Sequence, residues 1–447
     1  MNKDTESICP VCLKKIPAKK ISYGDKVYME KTCPEHGSFK TLIWDGEPSM
    51  ESWERVKIPV YPEKPYTKAE KGCPFDCGIC PEHRQHTCTA LIEVTQRCNL
   101  RCKFCFASSG GQHEDINMQK IEFMYRSILN SSGICNIQIS GGEPTVRDDL
   151  PEIIKLGSKL GFKFIQLNTN GIRIAQDSDY VKKLKEAGLS SVFLQFDGTD
   201  NKIYENLRGA DLLDYKIKAI ENCGKYDIGV ILVPTLVYGV NSDNIGDIID
   251  FALKRIPVVR GVHFQPVSYF GRFPDTPCNS ERITIPQILR YIEIQTHGRI
   301  KKESFRPPGC ENSFCSFHGS FLYKGNGELM PITNGKSECS CKCERADIGA
   351  QKAKDFTSRN WSGIEKAYGK TAKLVKGKTV SWDDIIYNIK NFSFSITGMA
   401  FQDAWNFDVE RVKDCCIHIV SPDGRMIPFC AYNITDCLGN YLYRGVD

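Results

Sequence analysis

No stretch of this chain is apolar for long enough to cross a bilayer. The longest run, Ile228 to Val240, is broken by Pro234 and falls short of the ~20 residues a spanning helix needs. The amino terminus, Met-Asn-Lys-Asp-Thr-Glu-Ser, lacks the apolar core of a secretion signal, so a cytoplasmic protein is expected. Charge of one sign is scarce too. Lys and Arg number 59 against 54 Asp and Glu, a net +5, which gives no electrostatic case for a nucleic-acid partner.

Cysteine is the residue in excess. With 41% apolar and 25% charged residues the 447-residue chain reads as an ordinary globular protein of two to four domains, yet it carries 22 cysteines. In a reducing compartment these are not structural disulfides. They cluster at 9/12/33, 73/77/80/88, 98/102/105, 310/315, 339/341/343 and 415/416/430/437, which argues for several metal sites. Cys135, Cys223 and Cys278 stand alone and need no role beyond small buried hydrophobes.

The chain is organised around Glu93 to Phe106, where Cys98, Cys102 and Cys105 are separated by three and then two residues. A short apolar strand, Ala90 to Val94, leads into them. Three thiolates on one tight loop hold three irons of a 4Fe–4S cube, and no fourth cysteine follows at a matching spacing. An iron left open for a ligand points to catalysis rather than electron storage. A zinc loop is the bland alternative, but zinc more often takes paired Cys-x2-Cys knuckles.

Cys-x3-Cys-x2-Cys, with the aromatic Phe104 just before the last cysteine, resembles the signature of radical S-adenosylmethionine (SAM) enzymes. The resemblance implies that the open iron chelates SAM, which one electron cleaves to methionine and a 5′-deoxyadenosyl radical. An external low-potential donor of the flavodoxin or ferredoxin type would supply the electron.

Residues 1 to 68 read as a small metal ribbon. Cys9-Pro-Val-Cys12 and Cys33-Pro-Glu-His36 flank a hairpin, Ile21 to Thr32, and make a tetrahedral set for one zinc or a rubredoxin-like iron. About 40 residues with few apolar positions need such a staple. After a proline-marked linker, Cys73, Cys77, Cys80 and Cys88 within residues 69–89 suggest an auxiliary 4Fe–4S cluster, with zinc the alternative. His83 and His86 among them receive no role.

From Ala90 to about residue 275 strand and helix alternate. Strands are expected at Ala90–Val94, Asn136–Ile139, Lys163–Asn168, Ser191–Phe196, Gly229–Val237 and Gly261–Pro266, with helical apolar stripes such as Ile121/Met124/Tyr125/Ile128 between them. The fold class is α/β, a partial (β/α)6 TIM-like barrel, which is also the fold the resemblance implies. Active sites of such barrels sit at the carboxyl ends of strands. There the second strand ends in Gly141-Gly142-Glu143-Pro144, matching the family's site for the SAM methionine moiety. Asn170 and Asp197 end the third and fourth strands, where turn chemistry explains them as well as cofactor binding does. Arg208 matches a position that supports the SAM carboxylate. His263 and Gln265 alternate inward on the sixth strand, although a satisfied core histidine is an equal reading.

From about residue 276 to 447 the alternation is expected to stop and give way to an auxiliary-cluster domain. C-terminal extensions of radical SAM enzymes hold such a cluster between two cysteines and a turn. A third 4Fe–4S cluster is expected on Cys310, Cys315, Cys416 and Cys430, with Cys415 competing. One thiol of the vicinal pair Cys415 and Cys416 is a candidate hydrogen-atom donor or substrate-facing group. Cys339, Cys341 and Cys343 are a weak metal signal. Lys366, Lys370, Lys373 and Lys376 form a stripe read as a solvated face, with peripheral membrane contact the minority reading.

The ribbon, the four-cysteine segment and Phe401-Gln-Asp-Ala-Trp-Asn-Phe-Asp408 with Cys415-Cys416 and Ile427-Pro-Phe-Cys430 together resemble one radical SAM branch. It holds the archaeal tetraether lipid synthases, relatives called methyltransferases and bacterial TrsS-type proteins. The resemblance implies three 4Fe–4S clusters, one mononuclear metal, and C–C bond formation or methylation on a lipid or small molecule. Peptide maturation and a non-catalytic Fe–S or zinc scaffold are the alternatives.

Overall fold

The computed structural model describes residues 2–111, 113–332, 343–364, 374 and 381–445. Cys339, Cys341 and the lysine stripe 366/370/373/376 lie outside the described residues.

Four strands, β1 (Asn2–Ile8), β2 (Lys15–Tyr23), β3 (Lys26–Cys33) and β4 (Gly37–Asp45), make one antiparallel sheet in chain order. It has too few apolar residues to stand alone, and it leans on the far end of the chain. Lys20 is paired with Asp408, both side chains buried. Lys31 donates to Ser7 Oγ at 2.9 Å, Ile8 O at 2.8 Å and Ala404 O at 2.6 Å. Burial pulls the Lys31 ammonium down to about 7, with Asp403 opposing the shift. A two-residue strand, β5 (Lys57–Ile58), follows in the linker.

The six expected parallel strands are present: β6 (Thr89–Glu93), β7 (Asn136–Ser140), β8 (Ile165–Thr169), β9 (Ser191–Gln195), β10 (Gly229–Val233) and, past the short β11 (Thr235–Leu236), β12 (Val259–Pro266). Val-, Ile- and Leu-rich strands suit a parallel sheet covered on both faces. The helix Met118–Ser132 buries Ile121, Met124, Tyr125 and Ile128 against it, and Ile245–Leu253 buries Ile245, Ile248, Ile249 and Ala252.

The alternation does not end at 276. After the hairpin β13 (Ser316–Gly325) and β14 (Glu328–Pro331), and the short β15 (Glu344–Arg345) paired with β5, the chain returns to the sheet. There β16 (Ser393–Met399) pairs parallel with β12, and β17 (Ile417–Val420) pairs parallel with β6. The parallel order is therefore β17-β6-β7-β8-β9-β10-β12-β16, a barrel-like arrangement of eight. It stays open between its two end strands, β17 and β16. Each edge is covered instead by an antiparallel strand, β13 on β16 and β18 (Met426–Pro428) on β17, which protects unpaired backbone. The sequence hides both added strands because long loops and a hairpin separate them from the regular repeat.

The helix Ala346–Trp361 lies over the amino ends of the strands. Lys354 O accepts from Asn136 Nδ2 at the start of β7, and Trp361 stacks on Phe193 of β9 at 5.9 Å. The carboxyl ends are left for the cysteine loop.

Candidate active site

β6 delivers the chain into the cysteine loop, and the loop is pinned from several sides. Asp115 accepts from Thr95 Oγ1 at 2.5 Å and from Arg97 Nη2 at 2.5 Å. Arg272 donates to Cys102 O at 2.8 Å, and its backbone exchanges two bonds of 2.9 Å with Cys105. Arg97 O and Thr95 O accept from Glu143 N and Gly142 N, so the turn after β7 is laid directly on the loop. That contact explains the glycines. A Cβ at Gly141, where φ is +134°, would meet Thr95 O at 2.3 Å, and one at Gly142 would meet Arg97 O at 2.2 Å.

The donor set is too open for a single tetrahedral ion and leaves room for a cubane. Sulfurs around one tetrahedral metal stand about 4 Å apart at Zn–S distances of ~2.3 Å, whereas those on a 4Fe–4S cube stand roughly 6 Å apart. Among the described residues Cys98, Cys102 and Cys105 do not form a set closed to within 4.8 Å. Burial pushes the Cys98 thiol up to about 12, so metal binding is what makes it a thiolate at neutral pH.

Glu143 is almost fully buried. Its Oε1 accepts from Thr145 N at 3.1 Å and from the hydroxyls of Thr145 and Thr169 at 2.7 Å each; its Oε2 accepts from Asn170 N at 2.7 Å. The carboxylate thus ties the ends of β7 and β8 together, with Oε2 the less occupied oxygen. Pro144 begins the buried turn that follows. Asn170 Nδ2 donates to Asn99 Oδ1 at 2.7 Å, a link from β8 to the cysteine loop. Arg208 and Asp197 form a bidentate pair, Nε–Oδ2 2.7 Å and Nη2–Oδ1 2.6 Å, with the carboxylate wholly buried. Arg208 faces the cavity and Asp197 stands behind it, so Asp197 acts through Arg208.

A cavity of about 690 Å³ runs below the loop, within the ~300–1,000 Å³ of ligand sites. Cys98, Cys102, Phe104, Cys105, Gly141, Gly142, Glu143, Asn170 and Arg208 line it at the carboxyl ends of the strands. Side chains of alternate strand residues line its walls: Asn136 and Gln138 on β7, Gln166 and Asn168 on β8, Gln195 on β9, His263 and Gln265 on β12. Gln138 Nε2 donates to Gln166 Oε1 at 2.7 Å, and Gln166 Nε2 to Ser191 Oγ at 3.3 Å. His263 Nδ1 lies 2.7 Å from Thr397 Oγ1, and burial pulls its imidazole down to about 4. It is therefore both a cavity wall and a satisfied core residue.

Residues 92–252 match the radical SAM superfamily, and residues 1–45 match the HMPTM N-terminal zinc ribbon domain. The 7,8-dihydro-6-hydroxymethylpterin dimethyltransferase of Methanocaldococcus jannaschii is 39% identical over 477 residues, covering 97% of this chain and 94% of that protein. The chain belongs to the radical SAM superfamily. A probable GTP 3′,8-cyclase of Pyrococcus abyssi is 36% identical over 176 residues, covering 39% of this chain and 56% of the cyclase. Among solved structures, Streptococcus suis SuiB bound to its precursor peptide SuiA aligns with a TM-score of 0.41 and 18% identity over 48% of this chain and 46% of that one.

This radical SAM enzyme holds further cysteine groups, and the structure redraws two groupings expected from chain order. Cys88 does not join Cys73, Cys77 and Cys80. It meets Cys310 and Cys416, three thiols whose sulfurs lie within 4.8 Å of one another. Cys73, Cys77 and Cys80 instead share a small cavity with His83, whose Nε2 is buried without a hydrogen-bond partner. His83 is thus available to complete that set. Cys315 and Cys430 part from Cys310 and Cys416 and sit with Cys415 around Arg411, whose Nη2 is 3.5 Å from Cys315 Sγ. The vicinal pair splits because successive residues entering β17 point to opposite faces. Cys9, Cys12, Cys33 and His36 close to within 4.8 Å, the spacing of a mononuclear site. Cys343 is exposed.

Sequence reasoning missed three residues here. Lys216, wholly buried, donates to Asn170 O and to Gln195 Oε1 at 3.1 Å, and burial pulls it down to about 8. Arg444 pairs with Glu93 at the end of β6, Nη2–Oε1 2.7 Å. Glu311 lies beside Cys416. A single Lys, Arg or Glu far from any motif carries no signal of this kind. No described helix is long and apolar enough to cross a membrane.

Proposed function

We propose that this radical SAM enzyme methylates a polar heterocycle of the pterin type. The observation that carries the reading is the amide-lined cavity: Asn136, Gln138, Gln166, Asn168, Gln195 and Gln265 face it, and Asn168 Oδ1 has no partner within the protein. The amides suit the hydrogen-bonding edges of a fused heterocycle, and an alkyl chain would leave Asn168 Oδ1 unpaired, at about 1–3 kcal/mol for a stranded group. The pterin named for the Methanocaldococcus jannaschii relative has such edges.

Bound at the Cys98/Cys102/Cys105 loop, a 4Fe–4S cluster with SAM supplies a 5′-deoxyadenosyl radical able to take hydrogen from an unactivated C–H bond. The chain's own residues bind and orient. Gly141 and Gly142 let SAM approach the backbone, Glu143 Oε2 accepts from its amino group, and Arg208 meets its carboxylate. Phe104 covers the loop from the side. Two auxiliary 4Fe–4S clusters are assigned to Cys73/Cys77/Cys80 with His83 and to Cys315/Cys415/Cys430, where Arg411 offsets charge; the ribbon holds one zinc or iron. A cytoplasmic flavodoxin- or ferredoxin-like donor would reduce them.

The test is anaerobic turnover with SAM as radical source, dithionite as reductant, a one-carbon donor of the methylene-bearing reduced-pterin class as methyl source, and 7,8-dihydro-6-hydroxymethylpterin. The pterin should raise 5′-deoxyadenosine above the uncoupled background and gain mass in methyl increments. Asn168→Ala should raise KM at least tenfold. A background unchanged by pterin but raised by a lipid or a peptide would overturn the reading.

A further inference from the structure

The structure assigns a second mononuclear metal site to Cys88, Cys310 and Cys416, with Glu311 as its replaceable fourth ligand, at the floor of the cavity. The ion is zinc. This site is independent of the pterin reading and is not one of the clusters assigned above.

Spacing decides the nuclearity. The three sulfurs lie within 4.8 Å of one another, and Cys88 and Cys416 are 3.0 Å apart. A tetrahedral ion with bonds of ~2.3 Å needs sulfurs about 4 Å apart, whereas a cube needs roughly 6 Å. The ribbon set Cys9, Cys12, Cys33 and His36 meets the same limit. Glu311 Oε2 is 3.6 Å from Cys416 Sγ but does not close on all three sulfurs within 4.8 Å, and Ser316 Oγ holds its other oxygen, so this carboxylate is the loosely held member of the set. Three thiolates and one carboxylate suit zinc, which takes four ligands without geometric preference.

The surroundings are built for such an ion. All three cysteines are buried. Lys57 Nζ donates to Glu311 O at 2.6 Å and to Cys310 O, and Gln85 Nε2 also donates to Cys310 O. A half-buried cation thus stands beside a site whose ligands carry more negative charge than the ion neutralises. Cys88, Cys310 and Glu311 all line the cavity. A nitrogen, oxygen or sulfur donor inside the cavity can therefore take the position of Glu311 while the three thiolates stay.

Zinc, iron and acid-labile sulfide are counted per chain in anaerobically purified holoprotein. Cys88→Ser and Cys310→Ser should each lose one zinc and keep iron and sulfide. Cys12→Ser should lose the ribbon metal alone. Because a cysteine variant can misfold, a second measurement leaves the triad intact. The Cys12→Ser protein is loaded with cobalt(II), and its absorption should show thiolate charge-transfer and tetrahedral d–d bands. Added imidazole should shift the d–d bands. Loss of about four irons with sulfide from Cys88→Ser would place the triad on a cube and overturn the proposal. So would a Cys12→Ser protein without tetrahedral cobalt bands, or bands that imidazole leaves unmoved.

Discussion

Asp197 and Arg208 give the sharpest test of how the cavity holds a charged cofactor. The carboxylate is wholly buried and accepts from Arg208 Nε at 2.7 Å, Arg208 Nη2 at 2.6 Å and Thr235 N at 3.2 Å. Asp197→Ala leaves the guanidinium buried with Thr235 Oγ1 at 3.1 Å and Phe104 O at 3.5 Å as its remaining partners. Breaking a buried pair from one side costs about 3–5 kcal/mol. Two charge-assisted bonds at about 1.5–3 kcal/mol each give the same range. Arg208→Ala should cost as much, because it strands the carboxylate. The double variant should cost little more than either single one, so the coupling should approach the cost of one single variant, about 3–5 kcal/mol. Urea unfolding of the anaerobic holoprotein, followed by tryptophan fluorescence, measures all three. In the same proteins SAM affinity should fall tenfold or more with Arg208→Ala and fall no further in the double variant, since Asp197 acts through Arg208. Additive losses, or an Asp197→Ala protein as stable as the parent, would refute the reasoning.

Gly141→Ala should lose about four irons and all 5′-deoxyadenosine formation while the ribbon keeps its metal, because the added methyl would sit 2.3 Å from Thr95 O; metal analysis checks this. Glu143→Gln replaces an acceptor oxygen with a donor and strands one of the bonds from Thr145, Thr169 or Asn170, so it should cost about 1–3 kcal/mol, read as a lowered Tm. His263 sits at about 4 when folded, pulled down by burial, against ~6.5 unfolded. Its contribution to stability is full above pH 6.5 and is lost as pH falls from 6.5 to 4, by at most about 3 kcal/mol at 1.36 kcal/mol per pH unit. His263→Gln should flatten that part of the stability–pH curve.

The cysteine loop and the six strands were legible because each is a local pattern. Cys98, Cys102 and Cys105 lie within eight residues, and each strand is a short stretch carrying apolar residues between polar segments. The expected strand Asn136–Ile139 is observed as Asn136–Ser140, and Ser191–Phe196 as Ser191–Gln195. What chain order could not give was pairing over long separations. Cys88 lies eight residues from Cys80 yet meets Cys416, 328 positions away. The cause is β17, which pairs Ile417 with Thr89 and so brings Cys416 to Cys88. The same register turns Cys415 toward Cys315 and Cys430. Nothing in the local sequence announces that β17 belongs to this sheet, since its four residues would suit many edges.

One strand then sets the geometry of the whole cavity. Cys88 precedes Thr89 at the amino end of β6, and the cysteine loop follows Glu93 at its carboxyl end. A rise of ~3.3 Å per residue separates the triad from the loop by roughly 15–20 Å. A single fused heterocycle does not span that distance. The amides of β7, β8 and β9 lie between, with Gln138 bonded to Gln166 and Gln166 to Ser191, so they are the natural rest for the ring. On the proposed pterin reading SAM would lie above the ring and the triad below it. A donor that displaces Glu311 must therefore sit on a part of the substrate remote from the carbon that reacts. That separation would let one strand keep the proposed thiolate-held metal out of reach of a radical made at its other end.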